Sequence, residues 1–316
     1  MLYDEFRELK DRIAGGIIPA TATPWTPEPE YDLAEADLRR LVEYLTGIDG
    51  IVAVIANAHT GECKLLSREM KQEVIRVHKE AAADTPVFSG VYGENSLQAA
   101  EMAREAQEAG ADAVMLLPLD TYANQDPRTP VEHFERVADA VDIPLINFQF
   151  PTWGSSGIPI SAHVEICEHP SVIAFKEASF DPVRYEETVR ALDHARDDFT
   201  MMTGNDTFLT HAYQLGSETG LIGYGNLVPE LQVEKLRAVR NDDMVRAKEI
   251  RETMLPLTNH VFGEPQGRYR ARTKVALEMQ GIFEHDTLLP PQQQIGMEER
   301  QELREILADL GELDPL

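Results

Sequence analysis

Residues 86–117 read PVFSGVYGENSLQAAEMAREAQEAGADAVMLL, and they predict one complete strand–helix–strand unit. Pro86 to Val91 is a short apolar run, Ser96 to Ala109 has the spacing of an amphipathic helix, and Ala113 to Leu117 is a second apolar run. Gly110 stands where a helix commonly ends on a glycine. Such a unit is typical of folds in which parallel strands alternate with helices.

The same alternation of short apolar runs and helical stretches continues along most of the chain. The eight predicted strands are residues 17–22, 51–56, 86–91, 113–117, 143–150, 172–176, 200–203 and 220–224. Eight strands with intervening helices predict an α/β fold, a (β/α)₈ TIM barrel over residues 1–226. Residues 227–316 predict a C-terminal helical region packed on the barrel. An open doubly wound sheet is the alternative, but the Gly-x-Gly-x-x-Gly turn is missing after the first strand.

Composition excludes several classes of function. The chain has 316 residues, is 43% hydrophobic and carries a net charge of −26. It therefore has a sizeable core but no basic stripe for nucleic acid, and an anionic membrane is an unfavourable partner. No apolar run reaches the roughly 18 residues of a membrane span, and the charged start does not resemble a signal peptide. We expect a cytoplasmic protein without nucleic-acid or membrane partners.

The acidic residues are spread along the whole chain, and arginines outnumber lysines by 21 to 8. A dispersed acidic, lysine-poor surface is typical of proteins from a concentrated-salt cytoplasm, where salt screens the self-repulsion. We therefore predict a halophilic protein. The two cysteines, Cys63 and Cys167, lack the spacing of a zinc site, so neither a metal nor a disulfide framework is expected.

A lysine ends the sixth apolar run, which reads Ser171-Val172-Ile173-Ala174-Phe175-Lys176. The other seven lysines lie in polar or helical surroundings. Burial lowers the pKa of an ammonium group, and the neutral amine attacks carbonyl carbons. Alternation along the strand puts Val172, Ala174 and Lys176 on one face, directed at the barrel mouth, and Ile173 and Phe175 on the other. The alternative is a lysine that extends to solvent at a strand end.

Polar side chains follow the C-terminal ends of several predicted strands, where barrel enzymes carry their chemistry. The second strand leads into Ala58-His59-Thr60-Gly61-Glu62. His59 is a candidate hydrogen-bond donor or acid/base near pH 7, or else a loop histidine satisfied by backbone groups. The candidate substrate contacts are Thr60, His59, Phe148, Gln149, Gly204 and Tyr224.

Several short motifs occur in a family-specific order. They are Thr23-Pro24-Trp25, Thr60-Gly61-Glu62, Gly110-Ala111-Asp112-Ala113-Val114 with Pro118, Pro144 and Pro151, Lys176-Glu177-Ala178, Gly204-Asn205-Asp206, and Asn226 with Pro229. With these motifs the chain resembles the dihydrodipicolinate synthase / N-acetylneuraminate lyase family of Schiff-base aldolases and dehydratases. The resemblance implies that Lys176 forms a Schiff base with the keto carbon of a 2-oxo acid and that Thr60 binds the substrate carboxylate. It also implies no cofactor, because the lysine is the electron sink, and a homo-oligomer, dimer or tetramer.

The chain departs from this family at its proton-relay positions. The fifth-strand tyrosine of the family falls at Phe148, with Gln149 beside it. The second relay tyrosine falls near Asp120, and Tyr122 is its candidate replacement. The arginine that follows Pro151 in dihydrodipicolinate synthases is absent, which disfavours a dicarboxylic substrate.

These departures favour dehydration over aldol cleavage. Cleavage needs a base on the C4 hydroxyl, the usual role of the tyrosine lost at Phe148. Dehydration instead removes a C3 proton and assists departure of the C4 hydroxide, for which His59, Glu177, Tyr122 and Ser179 are candidates, although alternation places Glu177 opposite Lys176. We expect a hydro-lyase that converts a 2-keto-3-deoxy sugar acid, in the first place 2-keto-3-deoxypentonate, to 2,5-dioxopentanoate.

Two other functions stay open from the sequence. An aldolase acting on 2-keto-3-deoxygluconate or a related acid would release pyruvate and an aldehyde. A non-catalytic barrel that binds sugar acids is compatible with the altered relay positions, but it has no need of a buried lysine.

Overall fold

The computed structural model describes residues 2–119, 126–149, 158–193 and 199–313. Within these ranges lie eight strands. They are β1 Ile17–Pro19, β2 Val54–Ala56, β3 Val87–Val91, β4 Ala113–Leu116, β5 Leu145–Gln149, β6 Val172–Glu177, β7 Thr200–Thr203 and β8 Thr219–Ile222. Each lies within or close to one of the runs that the sequence predicts.

The strands form one closed parallel ring. Their order is β1-β8-β7-β6-β5-β4-β3-β2, and all the pairs are parallel. Single bridges join Ile17 to Ile51 and Ala20 to Ile55, so that β1 also meets the segment around β2. The prediction of a (β/α)₈ TIM barrel is confirmed.

Helices surround this ring. Within the described ranges they are α1 Leu2–Ile13, α2 Glu35–Thr46, α3 Arg68–Ala81, α4 Ser96–Glu108, α5 Arg128–Ala138, α6 Ile160–Cys167, α7 Pro182–Asp193, α8 Leu209–Gln214, α9 Pro229–Arg240, α10 Met244–Phe262, α11 Tyr269–Met279 and α12 Met297–Asp309. Helix α1 was not predicted from the sequence. None of these helices is long and apolar enough to cross a membrane.

The unit at residues 86–117 shows how local sequence sets these elements. The side chain of Asn95 accepts hydrogen bonds from the backbone N–H groups of Leu97 and Gln98 and so caps α4. Gly110 ends the helix with φ of 104°, a left-handed conformation that favours glycine. The chain then enters β4, whose Ala113 pairs with Phe88 of β3.

Buried apolar side chains form two clusters. An inner cluster fills the barrel and includes Ile55, Met115 and Met202. An outer cluster lies between the strands and the helices and continues into the C-terminal helices with Leu236 and Leu257. Helices α9 to α12 thus pack on the barrel, while the boundary after residue 226 stays a prediction.

β6 contains one extra residue relative to β5. Leu145 pairs with Val172, whereas Ile146 pairs with Ala174, so Ile173 is the bulged residue. Val172 consequently packs in the outer cluster, and Ile173 joins the inner one. The predicted faces of these two residues are wrong, because simple alternation does not foresee a bulge.

The dispersed negative charge leads to a prediction about salt. Raising KCl from about 0.1 M to about 1 M shortens the screening length from roughly 10 Å to roughly 3 Å. The net charge of −26 then repels itself less in the folded state, so the melting temperature is expected to rise by at least about 5 °C. Calorimetry in a KCl series measures this. A melting temperature that is already maximal in dilute buffer contradicts the halophilic prediction.

Candidate active site

A pocket of about 490 Å³ opens at the C-terminal end of the barrel. Its lining comes from the loop after β2, from β5 to β8 and their loops, and from the segment between α10 and α11. The lining residues are His59, Thr60, Phe148, Lys176, Ala178, Phe180, Gly204, Asp206, Gly223, Phe262, Gln266 and Tyr269. Lys176, His59, Thr60, Phe148 and Gly204 are thereby brought together, as the sequence analysis expected.

Lys176 is held tightly in this pocket. Its side chain is only 6% exposed, and its Nζ lies 4.6 Å from the centroid of the Phe148 ring. A Cβ atom at Gly204 would overlap Cε of Lys176, so this position needs glycine. Burial lowers the pKa of Lys176 to about 8, against the opposing effect of Asp206. At pH 7 about a tenth of the amine is therefore neutral and nucleophilic.

Asp206 is the carboxylate of the pocket. Its Oδ1 accepts a hydrogen bond from the backbone N–H of Tyr224 at 2.9 Å. Burial raises the pKa of Asp206 to about 6, while this hydrogen bond and the charge of Lys176 oppose the rise. Asp206 belongs to the Gly204-Asn205-Asp206 motif, but no role was predicted for it from the sequence. Its position directly after a strand end was the signal that could have identified it.

The loop after β2 is shaped by close backbone approaches. Asn57 and Glu62 have φ values of 53° and 62°, in the left-handed region. A side chain at Gly223 would come within 2.8 Å of the Thr60 hydroxyl, so glycine there leaves room for Thr60 in the pocket. The Nε–H of Arg270 donates to the backbone carbonyl of His59 at 2.8 Å and anchors the loop to α11.

This barrel, with a buried lysine at the end of β6, matches one family. The model of the dihydrodipicolinate synthetase family matches residues 13–310. The chain belongs to this family. A 4-hydroxy-tetrahydrodipicolinate synthase of Natronomonas pharaonis is 30% identical over 298 residues, which cover 93% of this chain and 97% of the relative.

Other dihydrodipicolinate synthetase family relatives agree with this assignment. An uncharacterized DapA-like lyase of Thermococcus kodakarensis is 25% identical over 297 residues, which cover 93% of this chain and 99% of the relative. The solved dihydrodipicolinate synthase of Aquifex aeolicus superposes with a TM-score of 0.84 at 26% identity, covering 94% of this chain and 98% of that structure. The similarity to family members therefore extends over nearly the whole chain.

Tyr269 is a pocket residue that the sequence analysis missed. It begins α11, and its hydroxyl lies 3.1 Å from Nδ1 of His59. The ring is stacked against Phe262, with 5.7 Å between the centroids and 21° between the planes. More than 200 residues separate Tyr269 from His59 in the chain, and no local pattern signals that they meet. In this member of the dihydrodipicolinate synthetase family, the C-terminal region thus supplies a wall of the pocket.

A buried ion pair ties the same loop to α11. Oε1 of Glu62 lies 3.0 Å from Nζ of Lys274, and both side chains are fully buried. The indole N–H of Trp25 donates to the other oxygen of Glu62 at 2.7 Å, and the Gln292 amide donates to Oε1 at 2.9 Å. Glu62 therefore joins the loop after β2 to three other parts of the chain.

Three predicted site residues do not line the pocket, because each directly follows a residue that does. The lining residues are Phe148 on β5, Lys176 on β6 and Gly223 just after β8. Gln149 follows Phe148, is fully buried, and contacts Nε2 of His163 at 2.8 Å through its Oε1. It therefore lies on the helix side of β5, and the expectation that it binds substrate is corrected.

Glu177 and Tyr224 depart from the predictions in the same way. The Glu177 carboxylate is fully buried and accepts from the Asn205 amide at 2.8 Å and the backbone N–H of Ser179 at 3.1 Å. Burial raises its pKa. The Tyr224 hydroxyl donates to the carbonyl of Met254 at 3.2 Å, behind the barrel wall. The Glu177 carboxylate thus contacts the segments after β6 and β7 instead of lining the pocket, and Tyr224 contacts Asp206 through its backbone N–H.

Tyr122, predicted as a catalytic residue, lies outside the described residues. Among the residues described, no group of three His, Cys, Asp or Glu side chains is arranged to hold a metal ion.

Proposed function

We propose that this protein is a lyase that holds its 2-oxo acid substrate as a Schiff base on Lys176. The observation that carries the proposal is the buried amine of Lys176, which has a pKa of about 8, ends a barrel strand and lines a pocket. The neutral amine attacks the keto carbon, water leaves, and the resulting imine withdraws electrons from C3. Membership of the dihydrodipicolinate synthetase family supports this chemistry.

The reaction we propose is dehydration of a 2-keto-3-deoxy sugar acid. A base takes a proton from C3 of the imine, the C4–O bond breaks as that oxygen is protonated and leaves as water, and hydrolysis frees Lys176. Phe148 supports this choice, because its ring covers the amine where the resemblance implies a tyrosine that serves aldol cleavage. The substrate proposed first is 2-keto-3-deoxypentonate. Elimination leaves a C3–C4 double bond beside the C5 alcohol; a proton then moves from C5 to C3, and the resulting C4–C5 enol tautomerises to the aldehyde of 2,5-dioxopentanoate.

Asp206 supports a hydroxylated substrate tail. A carboxylate accepts hydrogen bonds from sugar hydroxyls, but it repels a second carboxylate of the substrate. With a pKa of about 6, Asp206 is mostly ionised at pH 7. The pocket therefore favours a polyhydroxylated monocarboxylic acid over a dicarboxylic one.

The same carboxylate favours a second candidate function. An ionised Asp206 could take the proton of the C4 hydroxyl and so promote cleavage of the C3–C4 bond. The protein would then be a 2-keto-3-deoxygluconate-type aldolase.

Turnover of a panel of 2-keto-3-deoxy acids in high salt, with mass analysis of the products, tests the proposal. Dehydration yields a product lighter than its substrate by one water, whereas pyruvate with an aldehyde identifies the aldolase. The same experiment includes a third assay, for the 4-hydroxy-tetrahydrodipicolinate synthase reaction after which the relatives are named. Turnover in that assay alone contradicts both sugar-acid proposals while leaving the Schiff base intact.

The lowered pKa of Lys176 predicts a pH dependence for adduct formation. Only the neutral amine reacts, so the rate of borohydride-trapped adduct formation with pyruvate is expected to rise about tenfold per pH unit well below pH 8. It should level off above about pH 9, because the amine is then fully neutral. Mass spectrometry of the trapped protein measures the rate. A rise that continues to the ordinary lysine pKa near 10.4 contradicts the shift.

Self-association into a dimer or tetramer and a cytoplasmic location stay predictions. Light scattering of the protein in high salt tests the first of them.

A further inference from the structure

We propose that the Tyr269 hydroxyl, coupled to His59, is the proton carrier for the chemistry on Lys176. This inference rests on the proposed Schiff-base function and deepens it. It assigns to a residue of α11 the proton transfers that the Phe148 position on β5 cannot perform.

The geometry places the two groups as one unit in the pocket. The Tyr269 hydroxyl is 3.1 Å from Nδ1 of His59, within hydrogen-bonding distance. It also interacts with the side chain of Thr60. His59, Thr60 and Tyr269 all line the same cavity as Lys176. The Tyr269 oxygen can therefore exchange a proton with His59 and with a substrate bound in the cavity.

Packing fixes the orientation of the hydroxyl. The Tyr269 ring is stacked against Phe262, and it also lies nearly parallel to the imidazole of His59, with 6.0 Å between the centroids and 28° between the planes. The guanidinium of Arg270 lies 5.0 Å from the ring centroid, and its Nε–H holds the carbonyl of His59. Side chains fixed in this way lose little entropy when a substrate binds.

Charge and burial set the resting protonation states. Burial, reinforced by the positive charges of Arg270, Lys176 and Lys64, holds the pKa of His59 well below its usual value. Neutral imidazole has one nitrogen that accepts, and Nδ1 faces the tyrosine oxygen. Burial raises the pKa of Tyr269, so the hydroxyl keeps its proton at rest. The unit begins as neutral tyrosine hydrogen-bonded to neutral histidine.

Each proposed step balances its protons and electrons. The Tyr269 oxygen takes the C3 proton while its own proton passes to Nδ1 of His59, and the C–H electron pair enters the imine to form an enamine. The transfers then reverse. Tyr269 protonates the C4 oxygen, water leaves, the enamine electrons form the C3–C4 double bond, and Tyr269 recovers a proton from His59. The low pKa of the imidazole makes this return favourable.

Proton exchange on bound pyruvate isolates this step from the rest of the reaction. In D₂O, NMR follows loss of the C3 protons of pyruvate, while borohydride trapping separately measures the Schiff base on Lys176. Tyr269→Phe keeps the stacked ring and removes the hydroxyl. We expect it to trap pyruvate as the wild type does but to exchange C3 protons on the order of 10²- to 10³-fold more slowly. His59→Gln is likewise expected to keep trapping of pyruvate and to slow exchange of the C3 protons.

Tyr185→Phe is the matched control. It removes another buried tyrosine hydroxyl, which contacts Ser217 and the carbonyl of Ala212 away from the pocket. Its exchange rate should stay within about twofold of the wild type.

The outcomes separate the two proposals. If Tyr269→Phe exchanges C3 protons at the wild-type rate, the relay is overturned. If it loses trapping as much as it loses exchange, the relay is also overturned, because Tyr269 is then needed for binding of pyruvate rather than for proton transfer. If Tyr269→Phe does not fold, His59→Gln decides by the same two measurements. Absence of any adduct in the wild type instead overturns the Schiff-base function itself.

Discussion

Replacing Lys176 with alanine is expected to lower turnover by at least about 10⁴-fold and to abolish the borohydride-dependent adduct, because no other group supplies the imine. The pocket should keep its shape, because the Lys176 side chain contacts Gly204 and Phe148 inside the barrel and does not belong to the outer apolar cluster. Steady-state kinetics and intact-protein mass spectrometry measure the two effects.

Two other buried lysines make this prediction sharper. Burial lowers the pKa of Lys235 to about 7 and that of Lys274 to about 8, as it does for Lys176. Lys235 instead contacts Oε1 of Gln232 at 2.9 Å, and Lys274 contacts Glu62. Neither lines the pocket. Peptide mapping of the trapped wild type should therefore place the adduct on Lys176. A label on Lys235 or Lys274 would show that a low pKa, rather than the pocket, selects the nucleophile.

Replacing Glu62 with glutamine is expected to lower the free energy of unfolding by about 3–5 kcal/mol, because it leaves the ammonium of Lys274 buried without its counter-charge. Denaturant unfolding in high salt measures the change. Thr60 lies two residues away, so substrate affinity should fall as well.

The double variant Glu62→Gln with Lys274→Met removes both charges and should recover much of the lost stability. Glu234→Gln is the matched control, because Glu234 pairs with Arg246 at 2.8 Å while both side chains are nearly half exposed. Glu234→Gln should lower the free energy of unfolding by no more than about 1 kcal/mol. If Glu62→Gln and Glu234→Gln lower the free energy of unfolding by equal amounts, burial does not make the Glu62 ion pair more important for stability.

The barrel was predictable from sequence because each strand–helix unit carries its own periodicity and its own end signals. Asn95 and Gly110 mark the two ends of α4, each within two residues of the helix itself. The inward direction of Lys176 followed from the same reasoning. The bulge at Ile173 did not, since it depends on how β6 pairs with β5.

Some polar residues at the strand ends were assigned to the site from the sequence but do not line the pocket. Gln149 was a candidate as the neighbour of Phe148, and Glu177 as a carboxylate at a strand end, although alternation placed it opposite Lys176. They are stable in the core because His163 and Asn205 satisfy them. Conversely, Tyr269 lies in an ordinary helical stretch, and its role emerges only when α11 docks beside His59. Contacts between distant parts of a chain leave no trace in local periodicity.

The ties between the loop after β2 and α11 have a consequence for synthesis on the ribosome. The last barrel strand ends at Ile222, whereas Tyr269, Lys274 and Gln292 emerge later. A nascent chain can thus assemble all eight strands while Glu62 still lacks its partner and one side of the cavity stands open to water. Since burial lowers the pKa of Lys176, we expect that pKa to lie closer to its ordinary value for as long as this side of the cavity is open. On this expectation, the environment of the nucleophile is complete only when the C-terminal region has been translated and folded.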